Sequence, residues 1–447
     1  MNMKLQRSLG KWHGYALMIG GMIGSGIFVV TGEAGAQTGP SVPLGYVALL
    51  PILLCTALAY LVFLSTPLGK SPGGAYTHIS RTFNNHFVGF IFMWFQFIAL
   101  LGVMAVIAIS FGEYVATLTN WGNPLLLATA ILGFFYILNV TGVKWFGRIQ
   151  LTMTAILFVS ILVLVIPGLF HIKPANFQPL FPFGLNGFLS ILPSLFFAYF
   201  GFEQLAQAGG EMRDPQRDMP KTMLRGSIIT MIIYFLVSIV AFGVLPYTEL
   251  AASKSAMADV AAIYLPSAGA LVVNIGILMA FATTLNSLIM VVSRILFTFA
   301  DDHIVPTSLA TVSKRFGTPH IALTINTVIV GVLLWTGTMN FVLTIALQGM
   351  FLMYIGHSAS LVALPFVRPQ LFNTALYRPS KSIMVGCGLF SIVALSFFSY
   401  KLITSVLPVI AIWTVLGIVI YMLGKLQGKK KGFDYKASLS TDWDNVA

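Results

Sequence analysis

Long apolar runs separated by short polar connectors dominate the chain. A helix of about 20 apolar residues is long enough to cross a bilayer. Connectors that contain Pro and Gly, such as STPLGKSPGGAYTH and RDPQRDMPK, separate most of the runs. The pattern predicts an all-α integral membrane protein with twelve transmembrane helices, at approximately residues 13–36, 43–65, 86–117, 123–142, 149–170, 186–207, 223–245, 267–299, 319–338, 341–366, 383–400 and 405–424.

Composition and charge agree with a membrane protein. Of the 447 residues, 57% are hydrophobic and 9% are charged, whereas soluble domains carry about 25% charged residues. The net charge of +12 would suggest a nucleic-acid partner in a soluble protein. A cytoplasmic N-terminus, however, places all but three of the 25 basic residues on the cytoplasmic side, the exceptions being Lys173, Lys254 and Lys401. The positive-inside rule therefore predicts a multi-pass protein of the cytoplasmic membrane, with both termini cytoplasmic, that contacts lipids and not nucleic acid.

The first apolar run contains the glycine-rich stretch GGMIGSGIF, from Gly20 to Phe28. Glycine in a helix interior costs about 1 kcal/mol relative to alanine, so this segment is a weak helix. A break at Gly24, Ser25 and Gly26 would free backbone N–H groups and present the positive end of the following half-helix, which together suit a carboxylate. Alternatively, the small residues allow two helices to pack closely.

The sixth run is interrupted in a similar way. Pro193, Gly201, Gly209 and Gly210 lie within LPSLFFAYFGFEQLAQAGGEMRDPQRDMPK, and Glu203 lies in its middle third. An ionisable side chain at that depth is costly and usually functional. The alternative is that Glu203 faces a watery vestibule and makes only a structural hydrogen bond.

Interrupted helices at positions one and six are five spans apart. This spacing is typical of two inverted five-helix repeats with a binding site at their midplane interface. The predicted organisation is a cytoplasmic segment, a first repeat, a second inverted repeat, two additional helices and a cytoplasmic tail that we expect to be disordered, at residues 1–12, 13–170, 186–366, 383–424 and 425–447.

Four motifs resemble those of the amino acid–polyamine–organocation transporter superfamily. GGMIGSGIF is similar to the first-helix motif of that superfamily, and FFAYFGFEQLAQAGGEMRDPQRDMPK is similar to its sixth-helix motif. GKSPGGAYTHISRTF and LNVTGVKWFGRIQ resemble its loops between helices two and three and between helices four and five. The likeness extends over roughly residues 10 to 370. It implies a 5+5 inverted-repeat fold with discontinuous helices 1 and 6, and substrates that carry an amino group.

The resemblance also implies a set of substrate-binding residues. The substrate carboxylate would meet the N–H groups of Gly24, Ser25, Gly26 and Ile27. The substrate ammonium would meet backbone carbonyl groups at the second break, those of Phe197, Ala198, Tyr199 and Phe200. Phe197 and Tyr199 are the candidates for an aromatic cover over the substrate, and ordinary membrane packing is the alternative for both rings.

Several residues are candidates for coupling transport to a proton or a sodium ion. Proton-coupled relatives carry a lysine in the fifth helix, but the corresponding position here is Leu157, which leaves Glu203 as a proton carrier or exchange without a coupling ion. His357 is a secondary proton-relay candidate. A sodium site would use the hydroxyl groups of Thr283, Thr284 and Ser287, although such hydroxyls most often bond the backbone.

The two interrupted helices, together with what the resemblance implies, predict a transporter of amino acids that works by alternating access. Other polar side chains within the runs are expected to bond neighbouring helices, among them Gln96, Asn139, Asn286, Asn326 and Gln348. The chain has no HExxH or GxSxG motif, which argues against an enzyme, and nothing indicates a cofactor or a resident metal. A carrier of polyamines or other cationic amines is the alternative, with Glu203 as counter-charge. A channel and a transporter-like sensor are alternatives of a different class.

Overall fold

The computed structural model describes residues 5–24, 26–253, 255–336 and 339–439, with the backbone alone at 29, 339–343 and 401. The regular secondary structure of these residues is helical, and their one extended pairing is an isolated bridge between Leu9 and Met212. The helices in chain order are α1 (Lys11–Met22), α2 (Thr31–Thr38), α3 (Val42–Ala48), α4 (Leu50–Leu64), α5 (Ala75–Thr82), α6 (His86–Thr119), α7 (Pro124–Val140), α8 (Val143–Gly168), α9 (Gly184–Phe197), α10 (Gln204–Gln207), α11 (Pro215–Val244), α12 (Tyr247–Ala252), α13 (Ala256–Tyr264), α14 (Ser267–Asp301), α15 (His320–Leu334), α16 (Met339–Val367), α17 (Pro369–Asn373), α18 (Lys381–Lys430) and α19 (Tyr435–Leu439).

Eight helical segments within the described residues are long and apolar enough to cross a membrane. Three further apolar helices are shorter, at Pro124–Val140, Gly184–Phe197 and His320–Leu334. Large apolar side chains such as Phe170 and Ile412 are exposed on the outer surface, as expected where helices face lipid. The chain is therefore an all-helical, multi-pass membrane protein.

The first predicted segment is interrupted at the glycine-rich stretch. Helix α1 ends at Met22, and Ile23 leaves the helical conformation with φ −79° and ψ 85°. The chain then enters a π-helical turn, Gly26–Val30, which leads directly into α2. The interruption that the glycines predict is present.

The sixth predicted segment is also interrupted. Helix α9 ends at Phe197, residues 198–203 form consecutive turns, and α10 starts at Gln204. Gly201 has a φ of +113°, a conformation that side chains other than glycine rarely adopt. A Cβ atom at Gly201 would also lie 2.8 Å from the carbonyl oxygen of Gly21. The two interrupted segments are therefore in close contact at these glycines.

Helix α18 contains two membrane-crossing segments, Lys381–Tyr400 and Leu402–Lys430. Met384 packs in one cluster with Leu364, near the end of α16, and Tyr421 packs on Phe87, near the start of α6. These two helix ends lie on one side of the protein, because the Arg368 guanidinium after α16 donates to the Arg81 carbonyl just before α6. The two halves of α18 therefore run in opposite directions.

The segment after Lys425 is ordered as far as Leu439, so the expected disorder of the tail is wrong there. Helix α18 continues to Lys430 and α19 follows it. The Tyr435 hydroxyl donates to the His303 carbonyl (3.0 Å), and Ser438 bonds the ring of His86 (2.8 Å). Docking against other helix ends supplies the order that a polar composition alone did not predict. Residues 440–447 lie outside the described part.

An ion cluster joins these helix ends. We use this name for Tyr76, Arg81, His86 and Asp302. Arg81 binds both carboxylate oxygens of Asp302, at 2.8 and 3.0 Å. The Tyr76 hydroxyl donates to Asp302 (2.6 Å), and the His86 ring lies 3.4 Å from the same oxygen. Burial opposes the charge of Asp302, but Arg81 and His86 hold the pKa of this carboxyl well below its usual range.

Candidate substrate site at the two helix interruptions

The first interruption ends at the start of a new helical turn. The N–H group of Gly24 donates to the Met22 carbonyl at 3.0 Å. Gly26 and Ile27 begin the following helical turn, where N–H groups have no partner within the helix and the helix dipole is positive. Both residues are buried. Ser25, the fourth predicted donor, lies outside the described residues.

The second interruption supplies backbone acceptors. The N–H groups of residues 198, 199 and 200 donate to the carbonyls of Leu195, Phe196 and Phe197, at 3.1, 3.0 and 2.9 Å. These tight turns use the Phe197 carbonyl. Within the described part of the chain, neither the Tyr199 nor the Phe200 carbonyl accepts a hydrogen bond of good geometry. Two of the four predicted acceptors are therefore unpaired among the described residues.

The two interruptions are in direct contact. A Cβ atom placed on Gly26 would lie 2.6 Å from the Cα atom of Ala198. Real Cβ atoms essentially never approach so closely, so only glycine fits this position. The glycines therefore serve both purposes considered for them, because they allow the helix to unwind and they allow its neighbour to approach.

Tyr234 of α11 links the two interruptions, and sequence reasoning missed it. Its hydroxyl lies 2.7 Å from the Met22 carbonyl and 2.6 Å from the Ala198 carbonyl. One hydroxyl proton serves one of these acceptors at a time. The only signal in the sequence is a tyrosine within the apolar stretch MIIYFLV, and buried tyrosine hydroxyls usually find a partner.

The two aromatic candidates have different surroundings. Tyr199 is fully buried, packs between Tyr46 and Tyr234, and donates to the Tyr46 carbonyl at 2.9 Å. The Phe197 ring stacks on Phe200, with centroids 6.0 Å apart and planes within 8° of parallel. The Tyr199 ring thus packs against two other tyrosines, whereas Phe197 and Phe200 form a stacked pair beside the interruption.

Glu203 is buried, with 2% exposure, and is held by three donors. Gln96 of α6 donates to one carboxylate oxygen at 3.1 Å. The other oxygen accepts the N–H group of Gly201 at 3.1 Å and the Tyr354 hydroxyl of α16 at 2.6 Å. This set of donors matches a carboxylate, which only accepts hydrogen bonds. Glu203 therefore connects the second interruption to α6 and α16.

The three hydroxyl groups considered for sodium bond the backbone. Thr284 donates toward the carbonyls of Gly20 and Ala280, both at 3.0 Å. Thr283 donates to the Ala280 carbonyl (3.0 Å), and Ser287 donates to the Thr284 carbonyl (2.9 Å). Among the described residues, no group of three or more His, Cys, Asp or Glu side chains could hold a metal ion.

His357 is paired with a second histidine. Its Nε2 atom lies 3.0 Å from Nδ1 of His78 on α5, and both rings are buried against Phe63. Leu157 is fully buried. The structure thus brings together Gly26, Ile27 and residues 198–203, whereas His357 packs against α4 and α5.

The model of a known family matches most of the chain. It carries the description "Amino acid permease" and matches residues 9–424. The chain belongs to the amino acid permease family. This family consists of transporters, which are not enzymes.

Individual permeases show lower but extensive similarity. A branched-chain amino acid permease of Bacillus subtilis is 27% identical, over 71% of this chain and 72% of the relative. A serine/threonine exchanger of the same organism is 28% identical, over 71% and 74%. A D-serine/D-alanine/glycine transporter of Escherichia coli is 27% identical, over 70% and 69%.

Proposed function

We propose that this permease carries amino acids across the cytoplasmic membrane by alternating access, and that the substrate binds as a zwitterion between the two interruptions. The observation that carries the proposal is their direct contact at Gly26 and Ala198, where Gly26 and Ile27 begin a helical turn. Among the described residues, the Tyr199 and Phe200 carbonyls accept no hydrogen bond. N–H groups at a helix start suit the substrate carboxylate, and carbonyl oxygens suit its ammonium group. Gly24, Ser25, Phe197 and Ala198 complete the proposed site.

The proposed architecture is a twelve-helix, 5+5 inverted-repeat fold with both termini in the cytoplasm. Interruption after Met22 and again after Phe197, five predicted spans later, supports the repeat. In the proposal, residues 13–170 and 186–366 form the two repeats, and 383–424 lies outside them. The distribution of basic residues supports the orientation.

The proposed substrates are neutral amino acids. A cationic side chain needs a counter-charge in a membrane site. Glu203 is the acidic side chain closest in sequence to the proposed acceptors, and both of its oxygens already accept bonds from Gln96, Gly201 and Tyr354. Branched-chain amino acids, serine and threonine, which the names of two relatives mention, are neutral. The polyamine alternative would require Glu203 to give up these donors.

The proposed mode is exchange of one amino acid for another, with Glu203 as a structural group that joins the second interruption to α6 and α16. Its three partners support this role, because Gln96, Gly201 and Tyr354 together occupy both carboxyl oxygens. Proton symport coupled to Glu203 is the alternative, and the pH dependence of the exchange rate distinguishes the two modes.

Counterflow into proteoliposomes tests the function. Vesicles loaded with L-leucine, L-serine, L-lysine or putrescine receive the same compound in radiolabelled form outside. We expect saturable uptake that internal L-leucine or L-serine accelerates. Uptake without saturation or acceleration would indicate a channel, and preferential acceleration by putrescine would overturn the substrate class.

The pH profile tests the coupling mode. We expect the exchange rates of the wild type and Glu203→Gln to follow parallel curves between pH 5 and 8, because neither cycle moves a proton. A wild-type curve that the substitution flattens would show that Glu203 carries a proton and would overturn exchange.

A further inference from the structure

A chain of buried amide side chains connects four helices and ends on α1. The Asn139 amide of α7 donates to the Asn286 oxygen of α14 at 2.9 Å. The Asn286 amide donates to the Gln150 oxygen of α8 at 2.7 Å. Gln150 then donates to the carbonyls of Ala16 in α1 and Thr283 in α14, both at 3.2 Å. All three amides are at most 3% exposed.

The donor-to-acceptor direction along these amide side chains is fixed by the last two acceptors, which are backbone carbonyls. Backbone carbonyls only accept hydrogen bonds, so the Gln150 nitrogen must face Ala16 and Thr283. Its oxygen then faces Asn286, which must donate, and Asn139 must donate to Asn286 in turn. Each amide is therefore held in one orientation, and every group in the chain is neutral.

Gly20 makes room for the last link. A Cβ atom on Gly20 would lie 2.7 Å from the Thr154 hydroxyl and 2.9 Å from the Gln150 nitrogen. Thr154 also donates toward the Ala16 carbonyl, at 3.3 Å. The first glycine of GGMIGSGIF thus exposes the backbone of α1 to side chains of α8, two residues before α1 ends at Met22.

We propose that Gln150 is a positioning residue that latches α1 against α8 and α14, and that this latch opens and closes in each transport cycle. The proposal rests on the alternating-access function, in which α1 moves relative to its neighbours. Two carbonyl acceptors on one neutral amide give a contact that can break and re-form without transfer of a proton. Gln150 does not touch the substrate in this account, and it acts through the placement of α1.

Thiol labelling at Ser287 tests the latch without any substrate. Ser287 is fully buried, lies 3.3 Å from a Cβ placed on Gly21 of α1, and donates only within its own helix. Ser287→Cys is made in a background carrying Cys55→Ser and Cys387→Ser. A small hydrophilic methanethiosulfonate reagent then reaches this thiol only when α1 has moved away.

Gln150→Leu should raise the labelling rate about tenfold, since loss of buried hydrogen bonds shifts an equilibrium by that order. The matched control is Thr152→Val, which removes a hydroxyl from the exposed face of the same helix. It should leave the rate unchanged. Equal rates in Gln150→Leu and the parent would overturn the latch, whether or not counterflow detects transport.

Gln150→Glu provides a reversible test in a single variant. A protonated glutamic acid can donate to the Ala16 carbonyl, whereas its carboxylate cannot. With each rate divided by that of the Ser287→Cys parent at the same pH, labelling should be fast at pH 8 and return to the parental rate at pH 5. A ratio that does not change with pH would contradict the positioning role.

Discussion

The helix interruptions and the ion cluster are held together by different chemistry. Besides the Glu203 carboxyl group, the groups that link the interruptions to their neighbours are hydroxyls and amides, namely Tyr234, Thr284 and Gln150, and each of these three donates to a backbone carbonyl. In the ion cluster, a guanidinium binds a buried carboxylate through two bonds. Neutral hydrogen bonds contribute about 0.5–1.5 kcal/mol each. Removing one partner of a buried ion pair costs about 3–5 kcal/mol.

In the proposed mechanism, this difference separates the parts that move from the parts that anchor the helix ends. A neutral donor can move from one carbonyl to another at low cost, and Tyr234 already lies within bonding distance of two. The ion cluster joins α5, α6 and the end of α14, and also contacts the C-terminal segment through His86. We therefore expect substitutions in the cluster to lower stability, and substitutions at the interruptions to impair binding and transport in a folded protein.

The largest expected effect is loss of stability in Asp302→Asn. This change leaves Arg81 buried without its counter-charge and should lower the free energy of unfolding by about 3–5 kcal/mol. Because the folded pKa of Asp302 is depressed, its contribution is complete above the usual carboxyl range and is lost only as the pH falls below it. Thermal unfolding in detergent should therefore show the same deficit from pH 5 to 8. Asp301→Asn, at the exposed neighbouring carboxyl, is the control. Equal stability of the two variants would contradict an anchoring role for the ion cluster.

Gly26→Val should abolish substrate binding while the protein stays folded. Its Cβ would meet the Ala198 backbone at 2.6 Å and force the two interruptions apart. We expect substrate affinity to fall by at least about a hundredfold, measured as ligand-dependent thermal stabilisation. Gly133→Val makes the same change on α7, where nothing lies within 4 Å of an added Cβ. Unchanged ligand stabilisation in Gly26→Val would refute the site.

A smaller effect is expected for Tyr234→Phe. Removal of the hydroxyl leaves the Met22 and Ala198 carbonyls without their shared donor. The exchange rate should fall about tenfold with little loss of stability, since one neutral hydrogen bond is removed. Tyr136→Phe removes a hydroxyl that bonds Thr324 on the outer surface, and should have no effect. A large loss of thermal stability without a change in exchange rate would show that Tyr234 stabilises the fold, as the ion cluster does.

Sequence reasoning located the two interruptions because weak helix formers stand where a membrane helix is otherwise apolar. Gly24, Gly26 and Gly201 are such residues. It also identified Glu203, because a charge in an apolar run is conspicuous. Neither signal depends on knowing which helices are neighbours.

Tyr234 and the order of the tail could not be predicted in this way. Tyr234 contacts the carbonyls of Met22 and Ala198, which are 212 and 36 positions away in the sequence. Every residue has a backbone carbonyl, so the sequence does not show which carbonyl a side chain contacts. Likewise, Tyr435 and Ser438 are ordered by distant helix ends, at His303 and His86. Asn286 and Gln150 are readable as polar residues within spans, but their joint orientation requires coordinates.

The central claim is that main-chain groups at the interruptions bind both charges of a zwitterion. The direct measurement is the thermal stabilisation of the purified protein by three ligands: the best-exchanged L-amino acid, its decarboxylated amine and its N-acetyl derivative. We predict stabilisation by the amino acid alone, because the amine lacks the group for Gly26 and Ile27, and the acetylated compound lacks the charge for Tyr199 and Phe200. Equal stabilisation by the amine or by the N-acetyl compound would contradict the account.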